Sequence, residues 1–432
     1  MKSREILDNL CEAIVDCEHK TAPIQSWGIP SIRTTNIKNG RIDFQNANRV
    51  SEETYQKWTA RLEPKQGDLI LAREAPVGEV GIIPPNQKAC LGQRTVLIRP
   101  DNSQLNSHYL LYLLLAPEMR HEMLCRAEGS TVSHLNMSDI RGLLIPSLPP
   151  LPEQKAIARI LGTLDDKIEL NQKMNQTLEA MARAIFKSWF VDFDPVTAKM
   201  VGRQPTGMDA ATAALFPDSF QDSPLGLIPK GWEVKPLPEV IEVNPTRRLS
   251  KGQVAPYLEM KSMPTQGHRS DTWINRPFAS GTKFINGDTL MARITPCLEN
   301  GKTAFVDFLE DGQVGWGSTE YLIFRPKHPL PLEFGYYLSR SDELKMFAIQ
   351  NMTGSSGRQR TPANSFWQYL MPIPPTEITT KYGNLVKTYM KKITGNSNQS
   401  RTLSTLRDSL LPRLMSGKIR VAEAERQIEK AM

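Results

Sequence analysis

Hydrophobic side chains recur every seven residues between 152 and 190. One position of the repeat collects Ile157, Leu164, Asn171, Leu178 and Ile185, and another collects Leu161, Ile168, Asn175, Ala182 and Trp189. That pattern is the seam of a helical coiled coil, interrupted near its middle by one polar layer, Asn171 and Asn175. After Pro152 the stretch holds no proline, and its one glycine is Gly162. A helix of this length spans about 57 Å. A long surface helix on a single core would share the periodicity, but no compact domain needs such a rod.

The pattern occurs twice. At an offset of 225 residues the first position becomes Tyr382, Tyr389, Asn396, Leu403 and Leu410, and the second becomes Val386, Ile393, Ser400, Arg407 and Leu414. The polar layer returns as Asn396 and Ser400; Arg407 is the one departure from the seam. Upstream, Gly67-Asp68 through Arg73 matches Gly287-Asp288 through Arg293, and Arg99-Pro100 matches Arg325-Pro326. Ile29-Pro30 lines up loosely with Ala255-Pro256, and Leu144-Ile145-Pro146 with Leu370-Met371-Pro372. A period this long is a domain duplication rather than a repeat array. The order globule, rod, globule, rod predicts an α+β chain. Two mixed α/β domains are separated by two long helices that form an antiparallel coiled coil, with an internal pseudo-twofold repeat. Antiparallel pairing brings Asn171 and Asn175 opposite Asn396 and Ser400, and a buried polar layer of that kind fixes register.

Within the first globule, residues 1–150, the segments Leu69–Ala72, Gly81–Ile83 and Thr95–Ile98 read as short strands. His108–Cys125 reads as a helix that Pro117 kinks or splits. The spacer helix occupies 151–195. Residues 196–227 are small, polar and rich in Pro and Gly, which predicts a linker with little core. The second globule covers 228–375, with one helix over 333–349. The second spacer helix and a charged tail complete 376–432.

Composition adds limits. The 432 residues are 40% hydrophobic and 23% charged, which suits a soluble globular protein. No apolar run reaches the length of a membrane span. The five cysteines are scattered with no C-x-x-C, so reduced thiols and a cytoplasmic location are expected. The net charge of +7 supports nucleic-acid binding only weakly. Its placement adds weight: Arg358 and Arg360 lie in a Gly/Ser loop, Arg247, Arg248 and Lys251 cluster, and residues 31–40 form a basic polar turn. Such loops carry side chains that read base edges or hold phosphates. Catalytic signatures are missing. The Gly301-Lys302-Thr303 triplet has Pro296 where a phosphate loop needs glycine, and Cys17-Glu18-His19 lacks partners for a metal. No catalytic residue and no metal ligand set is assigned.

Three stretches resemble a known family. They are Pro149 through Ala158, Leu164-Asp-Asp-Lys-Ile-Glu-Leu-Asn171 with Ala184 through Pro195, and Leu406 through Arg420. The first two are similar to the central conserved region of the specificity (S) subunit of Type I restriction-modification enzymes, and the third to its distal conserved region. The resemblance implies two target recognition domains, each reading half of a split double-stranded DNA site, and a non-catalytic chain. It implies two methyltransferase (M) subunits docked on the helices and two restriction (R) subunits completing the complex. S-adenosylmethionine would then belong to M, and ATP and Mg²⁺ to R, with no cofactor on this chain. A half-site separation near one DNA turn, about 34–36 Å, fits a rod of this size. Because recognition domains vary within the family, the DNA-contacting residues follow from loop chemistry. In the first globule these are Arg33, Asn36, Lys38, Arg73, Arg94, Ser130, Thr131 and His134. In the second they are Lys261, Arg269, Arg293, Ser355, Arg358, Gln359 and Arg360. Arg73 and Arg293 follow the same strand in both copies, which equally fits a structural ion pair. The alternative to DNA reading is a coiled-coil scaffold that only joins proteins.

Overall fold

The computed structural model describes residues 5–128, 133–270, 272–355 and 357–431. Two compact units emerge, residues 1–169 with 400–432, and residues 170–399. Each long helix, Leu151–Phe190 and Thr376–Met415, is 40 residues long and gives one half to each unit.

The first unit is built on an antiparallel sheet in the order Cys11–Asp16, Thr95–Pro100, Leu69–Ala72, Val80–Ile82. Leu69–Ala72 and Thr95–Pro100 are buried throughout, which is why Leu69–Ala72 and Val96–Ile98 read as unbroken apolar runs. The predicted helix does split at Pro117, into Ser107–Leu115 and Pro117–Arg126. A second sheet pairs Ile29–Ile32 with Asn48–Val50 on one side and, in parallel, with Cys90–Leu91 on the other. The basic turn at 31–40 ends in a tight hairpin. Asn39 and Gly40 have φ of 50° and 82°, the left-handed pair that a two-residue turn between Ile37–Lys38 and Arg41–Ile42 requires.

The second unit repeats this plan. Its main sheet runs Ile241–Val243, Tyr321–Pro326, Thr289–Ala292, Thr303–Phe305. Val254–Leu258 pairs in parallel with Gly315–Gly317, as Ile29–Ile32 does with Cys90–Leu91. One close approach is common to both copies. A Cβ on Gly92 would stand 2.6 Å from the Ile32 carbonyl, and one on Gly317 2.7 Å from that of Leu258. The helix expected over 333–349 is two helices, Leu332–Ser339 and Asp342–Gln350, because the Ser341 side chain accepts from Leu344 N and starts a new one. Residues 196–227 also depart from the expectation of a linker with little core. They form short helices and a hairpin, Phe220–Ser223 with Gly226–Pro229, and place Val196 and Phe216 in the second unit's core. Two core side chains among small polar neighbours leave no periodic signal.

The seam is buried along much of its length, while Leu178, Ile185 and Tyr389 are half-buried and Phe186 takes the core place beside Ile185. In the first unit Ile157, Leu161, Leu164 and Ile168 share a core with Leu403, Leu410 and Leu414. In the second, Ala182, Phe186 and Trp189 pack with Tyr382 and Val386. The pairing is antiparallel: Glu153 meets Arg420 and Asp165 meets Arg407. In the second unit Asn171 Nδ2 donates to the Asn396 carbonyl at 3.3 Å and to Gln399 Oε1 at 2.9 Å. Asn175 Oδ1 accepts from Asn396 Nδ2 at 2.9 Å, and Asn175 Nδ2 donates to Ser397 Oγ at 3.1 Å. Gln399 and Ser397, which the heptads do not single out, thus join the layer; Ser400 is half-buried. Arg407 is accommodated in the seam by Asp165, whose Oδ1 lies 2.6 Å from Arg407 Nη1 and whose other oxygen accepts from the Tyr112 hydroxyl at 2.7 Å.

Candidate nucleic-acid interface

The duplicated sequence motifs meet in space. Asp68 is 2% exposed, accepts from Lys65 N, and takes two hydrogen bonds from Arg99 at 2.8 and 2.7 Å. Asp288, with no exposed side chain, accepts from Ile285 N at 2.9 Å and pairs with Arg325 at 2.7 Å and Arg247 at 3.2 Å. The Gly-Asp turn and the Arg-Pro strand end are therefore one buried device, used twice, that fixes the central strands. Arg247, the nearest of the basic cluster, belongs to this device, while Arg248 and Lys251 stay exposed.

Both copies build the same loop site at the end of that strand pair. In the first, Leu135 N donates to the Arg73 carbonyl at 3.0 Å, and Glu128 and His134 pair their backbones in both directions. In the second, Thr361 N donates to the Arg293 carbonyl at 2.9 Å, and Thr353 and Arg360 pair in the same way. A neighbouring bond also repeats: Arg73 N donates to the Arg94 carbonyl at 2.9 Å and Arg293 N to the Glu320 carbonyl at 3.0 Å. The frame thus equates His134 with Arg360 and Arg94 with Glu320. At the latter position the charge is reversed.

Several of the expected DNA contacts gather here. In the first unit Arg94 is paired with Glu74 at 3.1 Å, beside half-buried His134. Arg33 is exposed next to the same turn, since the Thr34 hydroxyl donates to the Ala75 carbonyl. Asn36 uses its Oδ1 to accept from Arg33 N. Lys38 is exposed in the hairpin. Arg73 lies inward, 13% exposed, with Asp16 at 2.7 Å and the Leu135 carbonyl at 2.8 Å, so the structural ion pair is the reading that holds for it. Ser130 and Thr131 lie outside the described residues.

In the second unit Arg293 and Arg360 share Glu320, at 3.2 and 2.9 Å. Ser355 and Arg358 are exposed on the same loop, and the Gln359 carbonyl accepts from Thr295 N. Lys261 is exposed but paired with Glu259 at 2.6 Å. Arg269 is a correction to the expected set. At 8% exposure it faces the second long helix, where it donates to Asn398 Oδ1 at 2.9 Å beside Asp307. It holds the globule to the helix and has no surface to offer a ligand. Loop composition misses this because it reports charge and not direction. It also misses the carboxylates Glu74 and Glu320, which sit among the basic groups; for Glu320 the duplication held a signal, since it stands where the first copy has Arg94.

Among the described residues, donor atoms of Asp16, Cys17 and His19 lie within 4.8 Å of one another. Asp16 is already bound by Arg73 at 2.7 Å and by His19 at 3.1 Å. Both contacts use Asp16 Oδ2, and the guanidinium held beside that carboxylate repels a cation, so the cluster does not suit a metal. No helix among the described residues is long and apolar enough to cross a membrane.

A duplicated α+β frame carrying two charged loop sites and a pair of long helices defines a class of protein, and comparison shows which known proteins the chain is similar to. Residues 17–180 match the family model described as the Type I restriction modification DNA specificity domain. The chain is 26% identical to the MjaIX Type I restriction enzyme specificity subunit of Methanocaldococcus jannaschii, over 92% of this chain and 88% of the relative. It is 24% identical to the HindI specificity subunit of Haemophilus influenzae, over 82% and 87%. Its fold matches the crystal structure of a Type I restriction-modification S subunit from M. genitalium, with a TM-score of 0.56 at 16% identity over 95% of both chains. Over residues 17–180 the chain matches that specificity-domain family, and along most of its length it is similar to specificity subunits of Type I restriction-modification systems.

Proposed function

We propose that this chain reads a bipartite DNA sequence for a Type I restriction-modification complex. Each loop site reads one half of the target, the first from residues 1–150 and the second from 228–375. The paired helices hold the reading sites and carry two M subunits; two R subunits complete the restricting form. Methyl transfer then uses S-adenosylmethionine on M, and restriction uses ATP and Mg²⁺ on R. This chain contributes recognition and no catalytic group.

The observation that carries the reading is the pair of equivalent loop sites, built on one backbone frame and furnished with different side chains. A scaffold has no use for that difference. A reader of two unlike half-sites needs it. Loops of Arg, His, Gln and Ser supply the donors and acceptors that base edges and phosphates require.

Binding by the reconstituted complex with M tests this. Specific DNA is expected to bind at least about 10³-fold more tightly than scrambled DNA at fixed salt. Equal affinity for every sequence would favour the scaffold.

A further inference from the structure

We propose that Arg360 in the second copy and Arg94 in the first each read a guanine, and that Glu320 and Glu74 are the positioning residues that aim them. The inference rests on the DNA-reading function above and names the base and the reader in each half-site.

Arg360 is clamped on one side. Its Nε faces both Glu320 oxygens at 2.9 and 3.0 Å, and its Nη1 donates to the Arg358 carbonyl at 2.9 Å. Its backbone is pinned by Thr353 in both directions, at 3.0 and 2.9 Å. The guanidinium side chain is 42% exposed while Glu320 beneath it is 19% exposed. Nη2 has no partner among the described residues, so the outer edge is open. Arg94 has a simpler counterpart, one ion pair with an acid that follows the strand Leu69–Ala72. Its Nη1 lies 3.1 Å from Glu74, and the two are 56% and 20% exposed. Its carbonyl is held by Arg73 N at 2.9 Å.

Two physical consequences favour a base over a phosphate. A guanidinium carries five donors in a fixed plane, and holding one side orients the rest for two parallel bonds to guanine O6 and N7. A phosphate needs no such aim. The carboxylate also lowers the local positive charge, one-to-one against Arg94 in the first copy and shared between Arg293 and Arg360 in the second, which weakens the pull on a phosphate, whereas the neutral guanine edge meets no such penalty. Arg358, exposed on the same loop, shows the contrast: its side chain has no carboxylate partner among the described residues. The clamps differ in chain position. His134 stands where Arg360 does, and Glu320 stands where Arg94 does. The bases flanking each guanine therefore meet different groups.

The test uses the complex reconstituted with its methyltransferase subunits, acting on a DNA library randomised across the target. Methylated molecules are then sequenced. With Arg360→Lys, which keeps charge but cannot bind bidentately, selection at one G·C pair of one half-site should fall about tenfold or more. Arg94→Lys should do the same at one G·C pair of the other half-site. Glu320→Gln should relax the same pair as Arg360→Lys, with partial recovery in Glu320→Asp. Melting curves unchanged from the parent exclude a folding defect as the cause. A uniform loss at all positions, relaxation at a pair other than G·C, or both lysine variants acting on one half-site would overturn the proposal. A parent complex that selects no bipartite motif would sink the DNA-reading function itself; an intact parent motif left unchanged by all four variants would sink only this inference.

Discussion

Most arginines near the two loop sites already have a carboxylate partner, and this decides what each can do. Arg73 and Arg269 are spent on holding the fold, at 13% and 8% exposure. Arg358 is exposed and unclamped, which under the proposed function suits a phosphate contact, although the loop sequence alone leaves a base contact equally open. Arg358→Ala is expected to weaken binding to target and non-target DNA by the same factor and to reduce the salt slope by about 1. Equilibrium titrations at several salt concentrations check this; a loss confined to one base pair would contradict it. At this scale the sequence marked which loops matter but not which side chains point outward. Polarity along the chain reports composition, whereas the pairing of Arg360 with Glu320 joins positions 40 residues apart.

The helical pair shows what periodicity can and cannot carry. Seven-residue spacing located both helices and the asparagine layer, because burial of one stripe imposes that spacing directly. It could not explain Arg407. The structure does: Arg407 and Asp165 neutralise each other in the seam, with side chains 21% and 11% exposed. Burial and the charge of Asp165 also push the Tyr112 hydroxyl far above its ordinary value, so it remains a donor to that carboxylate. Removing either partner alone, as Asp165→Ala or Arg407→Leu, leaves a buried charge and should cost about 3 kcal/mol. Replacing both with leucine should recover most of that loss. Urea unfolding of the two singles and the double closes the cycle; equal, additive losses would show that the pair is not coupled. The segment 196–227 was illegible for the opposite reason. Its two core anchors, Val196 and Phe216, are too far apart to set a period.

At the scale of the whole chain, duplication is the organising fact. The Gly-Asp turn and the Arg-Pro strand end were visible as matching words, the returning loop was not, and the structure joins all three into one frame in each copy. Diverged side chains on a preserved frame are what two unlike half-sites call for. The most direct measurement is a genome-wide methylation map of the host with and without this gene. The account predicts that methylation at one bipartite, asymmetric motif with a fixed gap disappears on deletion and returns on complementation. Identical maps, in a host where the methyltransferase subunit is shown to be expressed, would contradict it.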